Sequence, residues 1–128
     1  MKEKNLKDKY IIGYNTICDG DQCVMDDNEP SLFNSHAEAM KELFDGALSI
    51  IMAQDTKSLK ELGITKKQIA KMKKIDATGD ASLMEKFIDE NPEMNYNDEF
   101  IQPATEFMMG RKALFTANGL VITGKPLQ

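Results

Sequence analysis

The sequence has no tryptophan, one histidine (His36), one arginine (Arg111) and two cysteines (Cys18 and Cys23) in 128 residues. Each scarcity excludes chemistry. Imidazole base catalysis would rest on His36 alone. A tetrahedral zinc site would need two ligands beyond the cysteine pair, and His36 is the only histidine. No apolar run approaches the roughly 20 residues of a membrane helix. The patch YIIGY that follows the charged MKEKNLKDK is too short for a signal-peptide core, so the expected location is cytoplasmic, with no membrane partner. There is no G-x-G-x-x-G, no Walker lysine loop and no G-x-S-x-G. The acids Asp19, Asp21, Asp26, Asp27 and Glu29 lack the glycine and glutamate positions of a calcium loop. Asp76-x-Thr78-x-Asp80-x-Ser82 fails too, because its twelfth position is Phe87. The expectation is a protein that is not an enzyme and uses no cofactor and no metal.

What is present describes a globular chain. Charged residues at 29% and hydrophobic residues at 41% fit a folded domain rather than a disordered segment. The length fits one domain over 1–128. Ser35 to Met52 is the clearest element. Met40, Leu43, Phe44, Ala47, Leu48, Ile51 and Met52 recur at three- and four-residue spacing, which places them on one helical stripe. Ser35 and Glu38 have capping-box spacing, and Phe33 stands where a hydrophobic staple would.

The two ends read as strands. Residues 10 to 18 are β-branched and aromatic, and Asp19-Gly20-Asp21-Gln22 is a turn signal. A four-residue loop there sets Cys18 opposite Cys23, as reduced thiols or as a disulfide in an oxidising compartment; a two-residue Asp-Gly turn is the alternative. At the other end Asn118-Gly119 favours a type I′ turn, which pairs Ala117 with Leu120, Phe115 with Ile122 and Ala113 with Gly124. Between the ends, Gly63 closes one short helix, Thr65 and Gln68 cap another, and Asp76 to Gly79 breaks the chain. Ser82 and Glu85 cap a further helix that Asn91-Pro92 stops. Asn97, with Asp98 and Glu99, caps a last helix that Pro103 kinks or restarts. The expected fold class is α+β: an antiparallel sheet from N- and C-terminal hairpins, packed on one face by a long central helix and several short helices.

Charge is unevenly spread. From Lys57 to Ile75 the chain carries seven lysines and one acid, Glu61, a net of +6, against −5 for the whole. This lysine-rich two-helix unit, 57–75, reads as an insertion within the domain. Leu59, Leu62, Gly63, Ile64, Ile69 and Met72 lie where a helix-turn-helix has its apolar contacts and turn glycine. The segment 58–75 resembles that motif, with Leu59 at the helix crossing where the motif has a small residue. It is also similar to the last two helices of SAM-type interaction domains, in which L-x-x-L-G-I precedes a basic helix. The second helix carries Lys66, Lys67, Gln68, Lys71, Lys73 and Lys74 as candidate partner or phosphate contacts, with Gln68 able to read an adenine edge if it points inward. The absence of arginine from this stretch removes the usual guanine reader. Acidic groups at 19–29 and 89–99 suit a basic partner, including a nucleic-acid-binding protein whose substrate they would mimic. The expected function is a non-enzymatic binding or adaptor module for another macromolecule, most simply a protein; the alternative is a nucleic-acid-binding regulator using 58–75.

Overall fold

The computed structural model describes residues 7–16, 20–26, 29–108, 111–116 and 119–126. Helices and strands are mixed, as an α+β chain requires. In order, the elements are β1 (Tyr10–Thr16), β2 (Gly20–Cys23), β3 (Met25–Asp26), β4 (Glu29–Pro30), α1 (His36–Met52), α2 (Thr56–Glu61), α3 (Lys66–Thr78), α4 (Ala81–Glu90), a 3-10 turn (Pro92–Met94), β5 (Phe100–Pro103), α5 (Ala104–Met108), β6 (Arg111–Thr116) and β7 (Gly119–Pro126). Contacts gather into two compact units. One comprises 1–39 and 99–128, the other 40–98.

In the first unit, β1 is the middle strand of an antiparallel sheet ordered β2-β1-β5. Among the described residues, the strands of the two chain ends do not join in the expected single sheet. The pair β6-β7 is a separate two-stranded ladder, and β3-β4 another. The strand β5 replaces the helix expected from Asn97. Asp98 turns through a positive φ of 51°, a conformation that aspartate tolerates, and the chain then enters the ladder on β1. Pro103, at the end of β5, is followed directly by α5.

The register corrects two turns. Thr16 pairs with Gly20 and Gly13 with Cys23, so Cys23 faces Gly13 rather than Cys18. Cys18 itself lies outside the described residues. In the C-terminal ladder Phe115 pairs with Leu120 and Thr116 with Gly119, two residues out of the expected register. A slip of two preserves the side of the sheet on which each residue falls. Ala117 and Asn118 lie outside the described residues.

Ile11 and Ile12 are both buried. Neighbouring strand residues point to opposite faces, so β1 is covered on both. Ile11 packs with Cys23, Ala104 and Phe107, flanked by Leu32 and Phe100. Phe33 exchanges two 2.9 Å backbone hydrogen bonds with Tyr10, which ties the approach to α1 onto β1. The α1 cap departs slightly from a capping box. The Glu38 amide donates to Ser35 Oγ at 3.1 Å, but the Glu38 carboxylate accepts from the Asn34 amide, at 2.8 Å.

The second unit is helical. Met40, Leu43, Phe44, Ala47 and Ile51 of α1 are buried as expected, with Ile64, Met72, Met84, Phe87 and Met94. Phe44 meets Phe87 edge to face, with centroids 6.0 Å apart. Met52, expected on the same stripe, is 51% exposed.

Candidate functional site: the lysine-rich helix and its groove

Local chemistry sets α3 firmly. After α2, Ile64 N–H donates to Leu59 C=O and Gly63 N–H to Lys60 C=O. These are the two bonds of a Schellman closure, with Gly63 at φ +75° where an L side chain would be strained. Asp55 caps the start of α2 by accepting from the Ser58 amide at 2.7 Å, and those bonds to Ser58 hold its carboxyl below the usual value. Thr65 then opens α3 with a complete capping box. The helix runs on through the expected break to Thr78, and Gly79 closes it at φ +66°. The next helix is capped by Asp80, not Ser82: its carboxylate accepts from the Ser82 and Leu83 amides at 2.9 and 3.3 Å.

The six expected contact residues separate into three groups. Lys67, Lys71 and Lys74, at i, i+4 and i+7, share one stripe of α3, and Lys66 and Lys73 share another. All five are exposed. Gln68 is half-buried and its amide is committed. Its Oε1 accepts from the Thr65 amide at 2.8 Å. Its Nε2 donates to Asn91 Oδ1 at 3.1 Å and to Glu93 Oε1 at 2.5 Å. Glu93 is therefore drawn into the helix packing. Glu99, the last acid of the 89–99 group, is partly buried, which raises its carboxyl above the usual range.

The charge on α3 opposes its own dipole. Lys66 and Lys67 occupy the first turn, where the partial charge is positive, and Asp76 occupies the last, where it is negative. Loss of water and the charge of Asp45 push the Asp76 carboxyl up. Lysines at i, i+4 repel one another as well, by about 0.2–0.5 kcal/mol per pair. This arrangement does not serve the stability of the helix.

Sequence reading missed the groove beside the stripe. Helices α3 and α4 form an antiparallel hairpin: Lys71 Nζ lies 6.0 Å over the Phe87 ring, while Gln68 reaches Asn91 at its far end. Between them is a half-open groove of about 180 Å³ lined by Lys71, Ile75, Leu83, Lys86, Phe87 and Glu90. The apolar spacing of α4 carried a faint signal of it. Leu83, one of the apolar residues expected on that helix, is 43% exposed on the groove rim.

His36 makes an edge-to-face contact with Tyr10, 5.9 Å between centroids. Among the described residues, no three His, Cys, Asp or Glu side chains gather as a metal ion would need, and no helix is long and apolar enough to cross a membrane. Compared with known proteins, the chain matches no family model, no curated protein and no solved structure.

Proposed function

We propose that this protein is a non-enzymatic binding module that docks on an acidic macromolecular surface, a protein before a nucleic acid, through the exposed lysines of α3. The observation that supports this reading is the placement of charge. Five ammonium groups stand exposed on one helix, two of them in the first turn against its dipole and three at mutually repelling i, i+3 and i, i+4 spacing, in a chain whose net charge is negative. Solvated charges of one sign on one helix raise the local concentration of an oppositely charged partner and speed its encounter.

The test compares pull-downs from native cytosol with the wild type and with Lys67→Gln/Lys71→Gln/Lys74→Gln. The wild type is expected to retain a partner at ~50 mM salt and to release it as screening rises, and the variant is expected to lose it. Equal recovery by both proteins, or none above background, removes the reading.

A nucleic-acid partner is the second reading. The α2–turn–α3 arrangement, with its Schellman closure and capping box, favours it. In that case the same variant flattens the salt slope of DNA or RNA binding. The committed amide of Gln68 leaves such binding to lysine–phosphate contacts, so it would be indifferent to sequence.

A further inference from the structure

We infer that the groove between α3 and α4 receives one bulky apolar side chain from an acidic segment of a partner protein, with the segment's carboxylates held by Lys71 and Lys86. This inference rests on the binding-module reading and names the chemistry of its partner.

Size decides first. At about 180 Å³ the groove is well below the roughly 300–1,000 Å³ of sites that enclose a small-molecule ligand. It suits a single leucine- or phenylalanine-sized group. The apolar part of the lining is Ile75 and Phe87, with Leu83 at the rim. Phosphate or sugar gains nothing from covering it, whereas an aliphatic or aromatic side chain gains from leaving water.

Charge decides next. Lys71 and Lys86, both exposed, stand at the groove, and Lys67 and Lys74 continue the α3 stripe beyond it. An occupant flanked by aspartate or glutamate meets positive charge on that side. The antiparallel hairpin also gives the groove a direction. Glu90 lies one turn of α4 beyond Lys86, toward the Asn91 end, while Ile75 and Leu83 mark the end nearer Gly79. A segment whose acids cluster near its apolar anchor is accepted, and one that extends acids past Glu90 is repelled. A polyanion with a uniform phosphate repeat cannot avoid Glu90 in this way.

The test is selection of a random dodecapeptide phage library on the full chain, followed by fluorescence anisotropy with a synthetic peptide from the enriched pool. The wild type is expected to enrich peptides with Leu, Met or Phe within one turn of two or more acids. Leu83→Ser, a change at an exposed position, is expected to weaken the synthetic peptide at least 10-fold while circular dichroism stays unchanged. Lys71→Gln/Lys86→Gln is expected to weaken it similarly and to remove its salt dependence.

No enrichment, enrichment of peptides lacking either acids or an apolar anchor, or equal binding by Leu83→Ser overturns the inference. A 20-base-pair duplex or its single strand bound through the same lysines, with Leu83→Ser indifferent, assigns the face to phosphate and overturns it too. If the inference fails while the α3 triple variant still loses its pulled-down partner, the binding-module reading stands without this groove. If both tests fail, both readings fall.

Discussion

A hydrogen atom in place of a side chain lets the Phe100 ring of β5 lie against β1. Gly13 pairs with Phe100 across β1 and β5, and a Cβ at Gly13 would fall on the Phe100 ring. The aromatic ring lies over the glycine and covers backbone that the missing side chain leaves bare. Gly13→Ala is therefore expected to lower stability by about 1–3 kcal/mol, the range for an overpacked core. Phe100→Leu in the same chain is expected to return part of that loss, because the clash is with the ring and not with the strand. A double-mutant cycle on urea midpoints measures the coupling; additive losses would show that the two positions do not interact. The pair also explains a miss in sequence reading. Nothing local in Phe100-Ile101-Gln102-Pro103 distinguishes a strand from a helix start. The deciding partner is a glycine far back in the chain.

At the scale of elements, the helices declared themselves because their signals are local. Ser35, Thr65 with Gln68, and Gly63 act within a turn of where they stand, and each is found doing so. Where two local signals competed, the acceptor placed one residue before the helix prevailed. Asp80 caps α4 ahead of Ser82, and the supposed break at Asp76 is the end of a helix closed by Gly79. The lysine stripes of α3 were legible as composition; the groove beside them was not, since it needs α4 folded back against α3.

The charge on α3 makes a stability prediction of its own. Asp76 sits in the last turn, and its carboxyl is raised by burial and by Asp45. Since the folded state holds that proton more tightly than the unfolded chain, ionised Asp76 opposes folding at neutral pH. The opposition is relieved as pH falls through the raised value toward the unfolded one. Asp76→Asn is expected to add about 0.3–1 kcal/mol at pH 7, the size of a dipole-end charge, and nothing below about pH 3, where the wild-type carboxyl is protonated in both states. Thermal melts of both proteins from pH 3 to 8 check this. A gain independent of pH would assign the effect to something other than charge.

The whole molecule divides unequally along the chain. One unit, 40–98, is a single uninterrupted stretch, and the other joins residues from both sides of it. Unit 40–98 carries its own buried set, with Phe44 on Phe87 and capped helices at short sequence separation. A fragment spanning 34–98, which keeps the Ser35 cap, is expected to show helical circular dichroism and a cooperative thermal transition. A featureless melt would mean that the helices need the strands to hold them. No such independence is expected of the remainder, whose sheet depends on residues from both flanks.

During translation β1 leaves the ribosome early, and β5, the strand that completes one side of it, leaves late. At roughly 5–20 residues per second the wait is on the order of ten seconds. For that time β1 offers an unpaired edge to any other extended chain, while the helical stretch has time to fold ahead of it. A nascent polypeptide stalled before Phe100 is thus expected to be the form most exposed to intermolecular pairing, and slowed synthesis is expected to raise the aggregated fraction without any change in final stability.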